Sequence, residues 1–415
     1  MKTDQIQKVH KDWYKLDLSA IVYPTLQRRD FSSVYRLSVL LKEDIDPEIL
    51  QRAVNLTMPR FPTYKAAIRK GVFWRYLEPN DRPGPFVQED VKNPCQPMHF
   101  KGNNRYLVRI YYYRNRIALE AHHSLGDGTG GMCVLQTLTA TYLRLKGHSE
   151  IENGGFVLDI LGIPDPGELE DAYMKYANAK VCPPRPGEKT YRVRGTKEPF
   201  YTLNIIDGIM SVSEVMRVAK SYNATITEYL NSVLLYALMQ KQESEWHLKL
   251  RPIKIAMPVN LRRFFPSRTL RNFITMIYPG IDPRLGEYTF EEIVTQVHNY
   301  MRYYLNEKLL RGDITTNAET QRNPFIRIVP LFIKDLVVRQ FYTKIQDKNS
   351  SAGLTNMGAL KVPETMKPYI ERFDIYMGQP FSTRTNCAIA SFEDILTINF
   401  ASSIAETDVE RLFFR

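Results

Sequence analysis

The chain has 415 residues, 44% of them hydrophobic, and a formal net charge of +11. That length and apolar content suit two domains or one large two-lobed unit with a substantial core, and no apolar run approaches the roughly 20 residues that span a bilayer. The cations are spread along the chain and no nucleic-acid module is recognisable, so the charge is read as suiting a small anionic partner and not a duplex.

The first 20 residues contain no apolar stretch of signal-peptide length, and a soluble, cytoplasmic protein is expected. Residues 45–58 open with Asp46 as N-cap and Pro47 at the first helical position, and Ile49, Leu50, Ala53, Val54 and Thr57 repeat at helical spacing. RYLVRIYYYRNRIALEAHHS then reads as a hairpin turning at Arg114–Arg116. Strand parity puts Ile117, Leu119, Ala121 and His123 on one face, taken as the inward one, and Ala118, Glu120 and His122 on the other. After four glycines between 126 and 131, Val134, Leu135, Leu138, Thr141, Tyr142 and Leu145 recur at helical spacing up to Gly147.

Residues 147–199 hold six prolines and read as a crossover between lobes. The division expected is an N-terminal lobe over 1–180, a proline-rich linker over 181–199 and a C-terminal lobe over 200–415. Beyond the linker, SVSE at 211, TITE at 225 and TFEE at 289 match the capping-box pattern. KIAMPVN, NFITMIYPGI, FDIYMG, TNCAIASF and ILTINFAS read as strands, which makes the second lobe mixed α/β. Residues 324–343 are apolar with helical spacing but carry charges that forbid spanning, and a buried or lid-like helix at the lobe junction is expected over a membrane-surface helix. The chain stops at VERLFFR within a helical pattern, either a short last helix or one lacking a few residues.

The four cysteines, Cys95, Cys133, Cys182 and Cys387, have no C-x-x-C spacing; reduced, mostly buried thiols are expected in place of a zinc cage or disulfide framework. The chemistry-bearing stretch is AHHSLGDG at 121–128, which puts two of the chain's 7 histidines side by side ahead of Asp127. Adjacent strand residues point to opposite sides and no third ligand stands at a familiar spacing, so no metal is expected there. No G-x-S-x-G turn supplies a serine nucleophile. On the residues alone, a proton-transferring His123 and a packed core histidine with Asp127 as helix N-cap both remain open.

His122-His123-Ser-Leu-Gly-Asp127-Gly128 resembles the HHxxxDG motif of the acyltransferase superfamily that includes chloramphenicol acetyltransferases, peptide-synthetase condensation domains, plant BAHD acyltransferases and alcohol acetyltransferases. Other segments agree in order. WYKLDLSAIVYP with DIDPEILQRAVNLTMPRFPTY is similar to the superfamily's opening, AMPVNLRRF followed by RNF is similar to its P-V-x-x-R segment with a downstream asparagine, and LTNMGAL is similar to the late S/T-N-x-G strand of the alcohol acetyltransferase branch. RNF only partly echoes the D-F-G-W-G segment of the plant enzymes.

This resemblance implies an α/β fold of two chloramphenicol-acetyltransferase-like lobes, each a mixed sheet flanked by helices, with a tunnel between them. It implies transfer of an acyl group, closest to acetyl, from acyl-coenzyme A as co-substrate to a small-molecule hydroxyl or amine. No tightly bound cofactor is implied. His123 would be the general base, His122 a supporting residue, Gly128 part of the tight turn, and Asp127 a structural partner of Arg262. Thr355 or Asn356 would serve the oxyanion. A carrier-protein thioester as donor, or a non-catalytic relative that binds an acyl thioester or a protein partner, are the alternatives.

Overall fold

Three sheets organise the computed structural model, which describes residues 13–27, 31–179, 188–245, 247–344, 349–378 and 383–415. The strands are β1 (Tyr14–Lys15), β2 (Val34–Leu41), β3 (Ala66–Lys70), β4 (Arg75–Pro79), β5 (Val87–Glu89), β6 (Val108–Tyr113), β7 (Arg116–His122), β8 (Asn204–Ser211), β9 (Ile253–Asn260), β10 (Ile274–Ile277), β11 (Gly280–Ile281), β12 (Ala352–Ala359), β13 (Ile370–Met377), β14 (Thr385–Phe392) and β15 (Ile395–Ser402). The helices are α1 (Tyr23–Leu26), α2 (Pro47–Thr57), α3 (Gly128–Leu145), α4 (Ala172–Tyr176), α5 (Val212–Ser221), α6 (Ile226–Ser244), α7 (Phe290–Tyr304), α8 (Glu307–Arg322), α9 (Pro324–Ile328), α10 (Leu331–Lys344) and α11 (Asp408–Phe413).

The first lobe is built on the five-stranded sheet β13-β2-β7-β6-β5, with α2 and α3 packed together against it. The second is built on the seven-stranded sheet β10-β9-β12-β14-β15-β8, with β11 also pairing β9 and with α6, α7 and α11 beside it. In that sheet β12 runs parallel to both β9 and β14, and the other pairings are antiparallel. The chain is thus mixed α/β, two lobes of sheet flanked by helices.

Local chemistry sets the helix starts. Asp46 accepts the Glu48 and Ile49 amides at 2.9 and 3.0 Å, with Pro47 at the first turn of α2. Reciprocal capping boxes open α6 (Thr225 with Glu228) and α7 (Thr289 with Glu292), each satisfying amides that helix geometry leaves without partners. At α5, Ser211 accepts the Glu214 amide alone.

Three features depart from the sequence reading or lie beyond it. Strand β13 follows the second lobe's β12 in the chain but pairs in antiparallel register with β2, Phe373 facing Val39 and Ile375 facing Leu37. It still touches the other sheet, because the Ile375 amide donates to Asn399 and the Thr397 hydroxyl to the Phe373 carbonyl. One apolar core therefore takes in Leu37 and Val39 of β2 together with Ala388, Ala390 and Phe392 of β14.

The proline-rich stretch packs on the body up to residue 179, Glu168 holding Arg60 through two bonds of 2.7 and 2.8 Å and Tyr173 bonding Ser19 and the Ile274 backbone. Residues 180–187, including Cys182, lie outside the described residues; Cys95, Cys133 and Cys387 are buried free thiols.

The helix expected over 324–343, buried or lid-like at the lobe junction, is α9 and α10; it is not buried, since Phe325, Ile328, Phe332, Leu336 and Val337 are exposed. The reason is orientation: α10 turns its polar Asp335 and Arg339 onto the body, where they bond Arg75 and Thr25, and so turns Phe332, Leu336 and Val337 out.

Candidate functional site

Central strand β7 delivers the two histidines to the edge of the first lobe. It is covered on both faces, so parity does not separate inward from outward: Ile117, Leu119 and Ala121 are buried in apolar core, and Glu120 on the other face is buried against Arg36 and Arg109. The pairing ends at Val34 opposite His122, and the next amide, that of His123, donates to Ser33 at 2.8 Å. His123 thus leaves the strand and is partly exposed, whereas His122 is fully buried.

The His123 imidazole lies between two tyrosines. Tyr23 of α1 stacks on it with ring centroids 4.8 Å apart and 20° between planes, and Tyr35 of β2 approaches at 4.6 Å and 48°. Its Nδ1 is buried with no hydrogen-bond partner in good geometry among the described residues, which leaves the opposite edge of the ring as the accessible one. Desolvation by these walls lowers the His123 pKa to about 4, against the opposing pull of Asp127, the Asn272 side chain and the Gly126 backbone. Burial takes His122 to about 3; its Nδ1 accepts the Ser124 amide at 3.2 Å and its ring meets Phe100 edge-on. Both rings are neutral at pH 7, and a neutral imidazole can accept a proton.

Asn272, two residues before β10, ties this loop to the chain's beginning. Its amide nitrogen donates to the His123 carbonyl at 2.8 Å and to the Asp17 carboxylate at 3.0 Å, and its own backbone amide also reaches Asp17. With the nitrogen committed in this way, Asn272 Oδ1 is buried with no donor in good geometry among the described residues, and the Asn272 side chain draws the His123 pKa upward against the effect of burial.

Asp127 is the N-cap of α3, accepting the Thr129 and Gly130 amides at 3.1 and 3.2 Å. The same carboxylate takes the Phe273 amide at 2.9 Å and the Arg262 guanidinium at 2.8 and 3.3 Å. Arg262 is itself fixed by the Thr269 and Arg271 carbonyls and by Asn260, whose amide nitrogen reaches Thr129 of α3 at 3.2 Å. A buried carboxylate with this many donors and one cation has its full complement, so it braces the junction between the loop and the second lobe and has no lone pair directed at the histidine ring.

The glycines of the loop admit close protein neighbours. A Cβ at Gly126 or Gly130 would collide with the Leu270 carbonyl and the Tyr64 hydroxyl, and one at Gly131 with the Tyr35 hydroxyl. Gly128 faces Met357 of β12 across the lobe junction, where an added Cβ would stand 3.3 Å from the sulfur. Thr355, two residues before Met357 on the same strand, shares its face by alternation and is partly exposed. Asn356 points elsewhere: its nitrogen donates to Thr227 at 2.9 Å and its oxygen accepts the Gly358 amide at 2.7 Å.

Neither a protein-family model nor a curated sequence matches the chain significantly. Solved structures do match in shape. Polyketide synthase associated protein 5 from Mycobacterium tuberculosis superposes with a TM-score of 0.58 at 13% identity, covering 96% of each chain. Trichothecene 15-O-acetyltransferase from Fusarium sporotrichioides gives 0.60 at 13% identity, over 97% of this chain and 93% of that one. A mutant starter condensation domain of rhizomide synthetase, in complex with C8-CoA, gives 0.60 at 12%, over 99% and 95%. The chain shares their two-lobed fold.

Of the residues expected from the motifs, His122, His123, Asp127 and Gly128 lie on one loop, Asp127 meets Arg262 of the second lobe, Thr355 stands on β12 beside Met357, which faces Gly128, and Asn356 is directed away. Tyr23, Tyr35 and Asp17 join the site only in the folded chain, and Asn272 takes its role there. Asp17 and Tyr23 lie in the quoted WYKLDLSAIVYP stretch and Asn272 in RNF, so those segments carried a signal without the partners that explain it.

The two depressed histidines make stability pH-dependent. Unfolded, each titrates near its ordinary 6.5; folded, only near 4 and 3. Between those limits the unfolded chain binds more protons, so the contribution is whole above about pH 6.5 and is lost as pH falls toward 4. The melting temperature is expected to drop over that window, and a His122→Gln variant to drop less; parallel curves for the two proteins would refute this account of the buried ring.

Proposed function

We propose that the chain is an acyltransferase that moves a short acyl group, acetyl in the simplest case, from a coenzyme A thioester to a hydroxyl or amine on a small molecule. The observation that supports this most is His123: a neutral, partly exposed imidazole walled by two tyrosines, on a strand-to-helix loop locked to the second lobe through Asp127 and Arg262. Shared fold with an acetyltransferase and with a C8-CoA-bound condensation domain is consistent with it. Donor and acceptor would reach the ring through a tunnel between the lobes, in the cytoplasm.

In this reading the accessible ring nitrogen of His123 takes the acceptor's proton while the acceptor oxygen or nitrogen attacks the thioester carbonyl carbon. The tetrahedral oxyanion collapses, the carbon–sulfur bond breaks, and the departing thiolate recovers the proton from the imidazolium. No covalent acyl-enzyme is required, because a thioester is already activated and positioning supplies much of the acceleration. Thr355 is the side chain on β12 assigned to the oxyanion, since Asn356 is committed to Thr227 and Gly358. Thr355→Val is expected to lower kcat roughly tenfold to 10²-fold with little change in KM for the donor, measured by steady-state kinetics.

Incubation with acetyl-coenzyme A and a mixed panel of alcohols and amines, followed by free-thiol detection, tests the proposal. Acceptor-dependent thiol release supports it. Absence of release with short- and medium-chain thioesters would defeat it, and release only from a carrier-protein thioester would move the donor assignment.

A further inference from the structure

The exposed apolar face formed by α9, α10 and the tip of the β3–β4 hairpin is not explained by acyl transfer. Phe325 is 78% exposed, Phe332 73% and Val72 72%, and Ile328, Leu336, Val337 and Trp74 stand out beside them. The pieces are one surface: the Leu331 amide donates to the Val72 carbonyl at 2.9 Å, and the Lys334 ammonium to the Phe73 and Arg327 carbonyls at 2.9 and 3.1 Å. Its amphipathicity is inverted for a helix lying on a protein, since Asp335 and Arg339 are spent on Arg75 and Thr25 beneath it while phenylalanine and aliphatic side chains face out. Contiguous apolar patches of this kind mark a partner or a membrane.

Charge decides the occupant. Arg327 and Lys334 stand among these apolar side chains, and the one acid of α10, Asp335, is neutralised from below by Arg75. Lys70 adds a further cation on the hairpin. A second copy of this chain would bring the same positive rim against itself under an overall charge of +11, which opposes a two-fold contact. An anionic bilayer meets both halves of the surface, aromatic and aliphatic groups entering the acyl boundary and cations resting at the headgroups. No helix among the described residues is long and apolar enough to cross a membrane.

We propose that this face docks the protein on anionic lipid bilayers. The surface adjoins the proposed reaction centre, since α10 packs on α1, whose Tyr23 stacks on His123. Docking is independent of the reaction proposed above and can be tested without it.

The test is flotation with vesicles of phosphatidylcholine alone and of phosphatidylcholine with roughly one-third phosphatidylserine. Wild-type protein is expected to float with the anionic vesicles, to bind the neutral ones far less, and to be released as salt is raised. A triple variant, Phe325→Ser with Phe332→Ser and Leu336→Ser, removes side chains that are mostly exposed; it is expected to keep its melting temperature and to lose at least about tenfold in partitioning. Wild-type protein that stays in the soluble fraction, or a triple variant that floats equally well, would overturn the proposal. So would wild-type dimers by light scattering that the variant converts to monomers, which would assign the face to a second copy.

Discussion

Replacing His123 with alanine is expected to lower acyl transfer by roughly 10²-fold or more, the usual cost of losing a general base, while the protein stays folded. The ring's packing partners are two tyrosines at the edge of the first lobe, and its own backbone bonds, amide to Ser33 and carbonyl from Asn272, do not depend on the side chain. The fall should be in kcat with donor KM little changed, because the imidazole acts on the acceptor's proton as the new bond forms. His122→Ala makes the comparison: that ring supports the turn through Ser124 and is fully buried, so its loss is expected to show in stability as much as in rate. Near-full activity of His123→Ala in steady-state assays would remove the residue from the reaction.

Asp127→Ala is expected to cost about 3–5 kcal/mol of stability together with most of the activity, read as a lowered melting temperature and a lowered kcat/KM. The size follows from what is stranded. Arg262 would keep a buried guanidinium with only carbonyl and amide oxygens around it, and the amides of Thr129, Gly130 and Phe273 would lose their acceptor. Arg262→Ala should cost a comparable amount, and the double variant less than the sum, since the partners share one interaction. Asp127→Asn keeps the volume and one acceptor oxygen and is expected to retain more of the fold than of the activity. An Asp127→Ala protein melting with the wild type would contradict the bracing role.

What the sequence discloses here is what neighbouring residues settle among themselves. Asp46 with Pro47, Thr225 with Glu228 and Thr289 with Glu292 announce their helices because cap and capped amides lie within three residues. The hairpin of β6 and β7 and the helix α3 after the glycines are equally local. The position of β13 is not, since a strand's own alternation fits either sheet and only tertiary packing chooses β2. Parity on β7 fails for the same reason: a central strand covered on both sides has no outward face, as buried Glu120 with its arginines demonstrates. For α10 the helical period was readable, but which face meets the body depends on Arg75 and Thr25, roughly 260 and 310 residues earlier, and no periodicity reports them.

At the site, the motif residues are close in sequence while the groups that set the histidine's environment are dispersed. Tyr23, Tyr35, Asp17 and Asn272 come from three separate segments and meet only in the folded chain. The glycines between 126 and 131 signal a tight turn, and the neighbours that need their missing side chains, Leu270, Tyr64, Tyr35 and Met357, are set by packing between distant segments that no local pattern reports.

Direct transfer with His123 as base is tested by a single-turnover experiment with isotopically labelled acetyl-coenzyme A and a responding acceptor. Mass spectrometry of the quenched mixture should find the label on the acceptor in the wild-type reaction, little or none in the His123→Ala reaction at the same time point, and none on the protein at any time. Label carried covalently by the protein before it reaches the acceptor, or equal transfer by both proteins, would rule out His123 as the base of a direct transfer.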